Sequence, residues 1–282
     1  MLRIIRRAYG EASAVLGLAA ISFAVVQLLG GAGIGWVGPI LAWVPLTAYL
    51  GFIVVGRPST RTRTLWPLLA VSGAGVVLAA FAGAVAVVIA VSGLAALSGY
   101  LFWYSRQERH PSALVVGSPL PDFPLSTVGG DRVRSSVLTE RPQVIVFFRG
   151  SWCPFCTTQL RQLAERYREL EHRGVGVSLI SPQPAADTAE LATRFDVPMR
   201  FFGDPGGAAA AALGLTQTAG VPLLYGAGTN GDTVVPTVVI TDAGGVVRWF
   251  DRSDNHRIRP EPDAFLAVLD REGITGPASQ LD

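Results

Sequence analysis

The apolar residues of this chain are concentrated in its N-terminal part. Long apolar stretches run from residue 12 to residue 104, interrupted by glycine-rich turns and by one short arginine-rich segment. No acidic residue occurs between Glu11 and Glu108. Because a transmembrane helix needs about 20 predominantly apolar residues, this pattern predicts a membrane domain at residues 1–104.

The lengths of the apolar stretches predict about four spans. The first two lie at about residues 12–29 and 34–55. The stretch from 65 to 104 is about twice as long as one span requires, so it is predicted to fold back as two spans, at about 65–82 and 85–104. A cleavable signal peptide would be followed by a soluble region, whereas here a second apolar segment follows the first. The first segment is therefore predicted to be an anchor.

Arginines between the spans predict the orientation in the membrane. With four spans, three arginine clusters fall on the same face, and the positive-inside rule makes that face cytoplasmic. We therefore expect a multi-pass protein of the cell (inner) membrane, with the lipid bilayer as a partner and the C-terminal half in the cytoplasm. The clusters are Arg3, Arg6 and Arg7; Arg57, Arg61 and Arg63; and Arg106 and Arg109.

After a charged linker at 105–114, the pattern changes to that of a soluble α/β domain at 115–282. Apolar β-branched runs predict buried strands at 144–148 and 175–180 and a short strand at 199–202. Helical periodicity predicts helices at 156–172, 187–195 (with Asp187 as N-cap), 208–213 and 262–271. A hairpin is expected from strands at 234–241 and 246–251. Strands that alternate with helices and end in a hairpin and a helix predict a thioredoxin-like fold with a mixed sheet.

The two cysteines of the chain, Cys153 and Cys156, form a C-x-x-C pair where the first predicted buried strand gives way to a helix. The positive end of a helix stabilises a thiolate and lowers a cysteine pKa. Pro154 between them is tolerated in a first helical turn, where its missing N–H would have no partner. The pair is therefore predicted to be catalytic and to form a reversible disulfide.

Other roles for the pair fit the sequence less well. A zinc site would need further ligands, and the three histidines of the chain are scattered without ligand spacing. A structural disulfide across so short a loop would stabilise little. We therefore predict neither a metal nor a cofactor. The net charge is only +2, and no basic patch accompanies aromatic residues, so nucleic acid is not an expected partner.

The motif F-x-R-G-x-W-C-P-F-C-x-x-x-L at residues 147–160 resembles that of the peroxiredoxin-like branch of the AhpC/TSA (alkyl hydroperoxide reductase and thiol-specific antioxidant) redoxins. Supporting similarities lie at 117–123, 203–206, 236–245 and 259–262. The resemblance implies an antioxidant oxidoreductase that reduces peroxides. Its electron donor would be a thiol, either a thioredoxin-like protein or a low-molecular-weight thiol.

The resemblance leaves the nucleophile open. The peroxiredoxin pattern, counted from the strand end, points to Cys156, whereas the W-C-x-x-C pattern of thioredoxins points to Cys153. Pro236, followed by Thr237, resembles the thioredoxin proline, which is usually cis and aligns a substrate disulfide; the other interpretation is a trans proline in an edge strand. A protein disulfide is therefore an alternative substrate.

Several further residues have two interpretations each. Arg149 either supports a thiolate or is a solvated loop charge, and Trp152 either shields the site and offers a docking face or packs in the core. Three arginines near the C-terminus are predicted to form a solvated cluster without chemistry: Arg252, Arg257 and Arg259. A role of another class is also open, in which the soluble domain is a redox-sensing or binding module coupled to the membrane bundle.

Overall fold

A computed structural model of the protein describes residues 1–56, 58–61, 65–107, 110–226 and 230–276. Its chain divides into two compact units. The first holds residues 1–58, 62–106 and 222–227, and the second holds residues 59–61, 107–221 and 228–282. Three arginines used above to predict the orientation lie outside the described residues: Arg57, Arg63 and Arg109.

The first unit is helical. Its helices are α1 (Leu2–Leu29), α2 (Val37–Val55), α3 (Trp66–Ala79) and α4 (Ala84–Gly99). Short 3-10 turns lie at Ile34–Trp36 and Ala80–Ala82, and a π-helical turn at Tyr100–Tyr104 extends α4. The predicted bundle of about four helices is confirmed, and α3 turns into α4 at Gly83, within the positive-φ region that favours glycine.

Most helices of this unit have the length and composition of membrane spans. Among the described residues, three segments are long and apolar enough to cross a membrane, namely Leu2–Leu29, Ile34–Val55 and Ala84–Tyr104, and the apolar segment Trp66–Ala82 is shorter. Small residues allow the backbones of α2 and α3 to touch, since a Cβ on Gly38 would lie 2.5 Å from the Gly75 carbonyl oxygen. Within the bundle, the buried Ser72 hydroxyl donates to the Ala42 carbonyl at 2.8 Å.

The second unit is built on a mixed sheet. Within the described part of the chain it has seven strands in the order β2-β1-β5-β4-β3-β8-β9. These are β1 (Pro124–Thr127), β2 (Arg132–Arg134), β3 (Gln143–Phe147), β4 (Gly176–Ser181), β5 (Arg200–Gly203), β8 (Thr237–Thr241) and β9 (Val247–Arg252). Strands β3, β4 and β5 are parallel to one another, and the remaining pairings are antiparallel.

Helices flank this sheet, and the predicted thioredoxin-like fold is confirmed. They are α5 (Pro154–Glu165), α6 (Tyr167–His172), α7 (Ala185–Ala192), α8 (Ala208–Ala212) and α9 (Pro262–Glu272). A separate small ladder pairs β6 (Thr216–Gln217) with β7 (Thr233–Val234). Every residue of β3 and of β4 is buried, as expected for central strands covered on both faces.

Some element boundaries differ from the predictions. The helix predicted at 156–172 begins two residues earlier, at Pro154, and is broken at Arg166, whose φ and ψ are not helical. Asp187 is not the N-cap of its helix, because α7 already begins at Ala185 after Pro184. The strand predicted at 234–241 is interrupted at Pro236, which has no N–H to pair in a ladder. Strands β1 and β2 were not predicted, because their short segments lack a clear alternation of apolar and polar residues.

Candidate active site

The C-x-x-C motif lies in the connection from β3 to α5, at the carboxyl end of the parallel strands. Phe147, the last residue of β3, pairs with Ile180 of β4 on one side and with Thr237 of β8 on the other. The next residue, Phe148, donates its N–H to the Ile180 carbonyl at 2.9 Å. Residues 148–153 therefore leave the sheet from between two neighbouring strands, and this edge is where thioredoxin-like folds place their sites.

The two cysteines occupy the first turn of α5. Cys153 is the N-cap residue, with extended backbone angles, and its carbonyl accepts a hydrogen bond from the Thr157 N–H at 3.1 Å. Cys156 lies three residues further on, within the first helical turn. Both are free thiols, and their side chains are buried, with 2% and 0% of their surface exposed.

The two sulfurs differ strongly in acidity. The Cys153 thiol donates a hydrogen bond to Cys156, and this bond, together with burial, raises the pKa of Cys153 well above its usual value. Burial opposes ionisation of Cys156 as well, but the hydrogen bond from Cys153, the charges of Arg259 and Arg149, and the Arg149 backbone N–H outweigh it and lower the pKa of Cys156 to about 5. At neutral pH the pair therefore carries a thiolate on Cys156 and a proton on Cys153.

Arg259 is the cation in hydrogen-bonding contact with this thiolate. Its Nη2 lies 3.8 Å from the Cys156 sulfur, and its side chain is 4% exposed. The residue lies between β9 and α9, where its backbone N–H donates to the Thr60 carbonyl at 3.1 Å. Nearby, Glu261 pairs with Arg61. These contacts fix the backbone that carries the guanidinium.

The predicted solvated arginine cluster is wrong for two of its three members. Arg259 and Arg257 are both buried, with 4% and 1% of their surface exposed, whereas Arg252 is partly exposed. The sequence alone did not indicate a role for Arg259, because it lies 103 positions from Cys156 and local patterns do not show that the two side chains meet. The signal that pointed to it was its place in the R-P-x-P segment at 259–262, one of the supporting similarities to the redoxins.

Arg149 is buried rather than solvated. Its guanidinium donates to the Gly220 carbonyl and lies over the Trp152 ring, with 4.9 Å between its Cζ and the ring centroid. Its own carbonyl accepts a hydrogen bond from the Thr233 hydroxyl at 3.1 Å. Trp152 itself is half-buried, so its ring covers the arginine and still presents a face to the surroundings.

The connection before the cysteines needs a glycine. Gly150 has φ of +151°, and a Cβ there would collide with the Trp152 indole and lie 3.0 Å from the Gln183 side-chain oxygen. The same oxygen accepts the Ser151 N–H at 2.7 Å, and the Gln183 amide donates to Thr188 at 3.1 Å. Gln183, which sequence reasoning did not identify, therefore holds this connection against α7.

Pro236 and Thr237 lie at the same edge of the sheet, but not as predicted. The peptide bond before Pro236 is trans, so the expected cis proline is wrong. The other interpretation, a trans proline in an edge strand, is confirmed for the trans bond and wrong for the strand, because the strand that follows, β8, lies between β3 and β9. The Thr237 hydroxyl donates to the Val235 carbonyl at 2.9 Å, which leaves its proton engaged by the local backbone.

No grouping of three or more metal-ligating side chains occurs in the part of the chain that the structure describes. The chemistry that this arrangement supports is that of the two sulfurs and the two buried guanidinium groups.

Comparisons with known proteins find similarities to the second unit. Residues 116–250 match the model of the AhpC/TSA family. Solved structures similar to this chain include the peroxidoxin BcpB from Mycobacterium tuberculosis, at 24% identity, covering 57% of this chain and 98% of that one, with a TM-score of 0.46. Another is reduced Prx3 in complex with H2O2 from Vibrio vulnificus, at 19% identity, 55% and 99% coverage, and a TM-score of 0.49.

A third similar structure is a thiol peroxidase from Chromobacterium violaceum, at 17% identity, covering 60% of this chain and 91% of that one, with a TM-score of 0.45. No curated protein matches the chain.

Proposed function

We propose that this chain is a membrane-anchored peroxidase that works through a Cys153–Cys156 disulfide, and that residues 116–250, which match the model of the AhpC/TSA family, carry a thiol peroxidase type of redox activity. The observation that carries the proposal is the buried Cys156 thiolate with the Arg259 guanidinium 3.8 Å from its sulfur. A thiolate is the nucleophile that attacks a peroxide, and a thiol is not.

In the first step, the Cys156 thiolate attacks one oxygen of the peroxide. An S–O bond forms, the O–O bond breaks, and Cys156 becomes a sulfenic acid. The departing oxygen takes the proton of the neighbouring Cys153 thiol and leaves as an alcohol, or as water if the substrate is hydrogen peroxide. Cys153 is left as a thiolate beside the oxidised sulfur.

In the second step, the Cys153 thiolate attacks the sulfenic sulfur. The S–S bond forms, the S–O bond breaks, and the hydroxide leaves as water after taking a proton from solvent. Two thiols and one peroxide have then become a disulfide, an alcohol and water. Both cysteines lie in the first turn of α5, so closure of this disulfide involves no distant segment.

The two buried arginines supply hydrogen-bond donors for the peroxide. The Nε atoms of Arg149 and Arg259 are buried and have no hydrogen-bond acceptor among the described residues. An unpaired buried donor is costly, and a peroxide oxygen near the Cys156 sulfur would satisfy it. Negative charge develops on the departing oxygen, and fixed donors stabilise such charge most. This supports Arg149 and Arg259 as the oxygen-binding groups.

The burial of the sulfurs favours a peroxide over a protein disulfide as the oxidising substrate. Cys156 has 0% of its surface exposed, and a small peroxide needs far less room than the backbone around a protein disulfide. Reduction then requires a thiol donor to reach the disulfide, and Cys153 is the sulfur nearer the half-buried ring of Trp152 in sequence. We assign Trp152 as the docking face for a thioredoxin-like protein or a small thiol.

The helical unit supports the membrane anchor. Three described helices have the length and composition of spans, and the apolar helix at Trp66–Ala82 is shorter. With all four helices counted as spans, the arginine clusters fall on one face and support a cytoplasmic redoxin domain in the cell (inner) membrane.

Stopped-flow oxidation of the reduced full chain by hydrogen peroxide tests this function. We expect a rate at least about 100-fold above that of a free thiol of similar acidity, because fixed donors contribute about 10²–10³-fold. A rate no better than that of the free thiol, combined with rapid reduction of insulin disulfides, would instead support a protein disulfide reductase. Poor turnover of both substrates would favour a redox-sensing module.

A further inference from the structure

A short apolar loop of the redoxin half belongs structurally to the helical unit. Residues 222–226, hereafter the 222–226 loop, lie within the first unit, although the sequence on both sides of them belongs to the second. The loop exposes successive apolar side chains, with Leu224 77% and Tyr225 58% exposed and Leu223 also exposed. Single exposed apolar residues are ordinary, whereas three in succession form a small patch.

Hydrogen bonds attach this loop to the N-terminal part of α1. The Leu223 N–H donates to the Arg7 carbonyl at 3.2 Å, and the Leu224 N–H donates to the Glu11 carboxylate at 3.3 Å. In return, the Arg7 guanidinium donates to the Gly226 carbonyl at 2.5 Å. Backbone groups of the loop are thus held by α1, while the side chains of Leu223, Leu224 and Tyr225 are exposed.

The attachment point lies at one end of the apolar part of α1. Arg7 and Glu11 are the last charged residues before the uncharged segment 12–29. From Glu11 to Leu29 the helix rises about 27 Å at about 1.5 Å per residue, which matches the hydrocarbon thickness of about 30 Å. If α1 spans the bilayer, Glu11 lies at the boundary between headgroups and acyl chains.

We infer that the 222–226 loop is a membrane-interfacial anchor, with Leu223 and Leu224 in the headgroup–acyl boundary and Tyr225 at headgroup level. This inference rests on the proposed membrane anchoring by the helices. Tyrosine is enriched at that depth because its ring is apolar and its hydroxyl polar, and short apolar segments beside basic residues bind anionic lipid surfaces. Arg3 and Arg6, in the same helix, supply that positive charge.

A lipid surface fits this patch better than a protein partner does. On the same face of α1, one and two turns beyond Glu11, the side chains of Val15 and Leu18 are also exposed, and a spanning helix presents these to acyl chains. The patch therefore continues a surface that lipid covers.

Electron paramagnetic resonance depth measurements test the inference. A spin label is attached at position 224 through Leu224→Cys in a Cys153→Ser/Cys156→Ser full-length background, in vesicles of phosphatidylcholine and phosphatidylglycerol. The relative accessibility to oxygen and to a water-soluble nickel chelate reports depth. Two matched exposed positions are the references, Leu18→Cys in α1 for the lipid interior and Val128→Cys in the β1–β2 turn for water.

The inference predicts that a label at position 224 is shielded from the nickel chelate, and that its relative accessibility to oxygen and chelate corresponds to a depth just below the lipid phosphates. If position 224 is as accessible to the chelate as position 128, while position 18 is shielded from the chelate by lipid, the loop is not interfacial and the membrane anchor stands. If position 18 is also accessible to the chelate, both the inference and the membrane anchor fail.

Discussion

At the scale of single residues, the two sulfurs of the C-x-x-C pair differ because they share one proton. The Cys153 thiol keeps this proton and donates a hydrogen bond to the Cys156 sulfur. Arg259 and Arg149 further stabilise the negative charge of Cys156. The peroxiredoxin and thioredoxin patterns in the sequence pointed to different sulfurs, and sequence alone offers no way to choose between them. The contact with Arg259 supports Cys156 as the nucleophile of the proposed cycle.

Thiolate absorbance should report the acidity of Cys156 directly. Because the pKa of Cys156 is lowered to about 5, the first thiolate of the reduced protein should appear with a midpoint near pH 5, and peroxide reactivity should fall as the pH drops through that value. Cys153→Ala removes the hydrogen-bond donor and should raise the midpoint. Cys153→Ser, which keeps an O–H donor, should raise it less. A wild-type midpoint in the ordinary thiol range would contradict the assignment.

Arg259 should contribute to both the acidity and the rate. Arg259→Gln removes the charge beside Cys156, so the thiolate midpoint should rise and the rate with hydrogen peroxide, measured by stopped flow, should fall by about 10²-fold. Arg248→Gln is the matched control, because Arg248 pairs with Asp242 at the β8–β9 turn and should leave both quantities unchanged. If Arg259→Gln left the midpoint and the rate as unchanged as Arg248→Gln does, Arg259 would contribute to neither.

At the scale of elements, the site is positioned by the junction of β3 and α5. The apolar β-branched run and the following helical periodicity predicted both elements, because burial and periodicity are local properties of the sequence. Contacts between distant segments were not predictable in this way. Gln183 reaches the β3–α5 connection from the segment after β4, and Arg259 reaches it from the segment after β9. Which distant side chains meet there depends on strand order and register, which local pattern does not specify.

Gly150 should be required for the shape of this junction. Gly150→Ala places a Cβ at a φ of +151° and against the Trp152 ring, so it should lower the stability of the full chain in detergent by about 1–3 kcal/mol. Gly129→Ala is the control, since a Cβ at Gly129 meets nothing closer than 3.6 Å. Thermal unfolding compares the two variants. An equally small effect of both would mean that the connection is not strained there.

At the scale of the whole molecule, the chain has two regions of different composition, an apolar helical region and an α/β region that holds the cysteine pair. The helical region was predictable in outline because membrane spans are recognised by length and apolar composition alone. Its orientation rests on arginine clusters, and part of each of the last two clusters lies outside the described residues. The redoxin region was predictable in fold and in the place of the C-x-x-C pair between a strand and a helix. The 222–226 loop could not be recognised, because its attachment to α1 joins residues more than 200 positions apart.

Thiol labelling tests the predicted orientation. In the Cys153→Ser/Cys156→Ser background, the exposed position Val128→Cys should resist a membrane-impermeant maleimide in intact cells and react after permeabilisation, because the arginine-rich face is expected in the cytoplasm. Labelling of position 128 in intact cells would place the redoxin domain outside.

The most direct test of the proposed cycle is to trap the first oxidised sulfur. Each cysteine variant is treated with one equivalent of hydrogen peroxide in the presence of dimedone, which captures sulfenic acids, and the adduct is located by mass spectrometry. We predict an adduct on Cys156 in Cys153→Ser, none in Cys156→Ser, and an intramolecular disulfide in the wild type. An adduct on Cys153 in Cys156→Ser, with none on Cys156 in Cys153→Ser, would contradict the account.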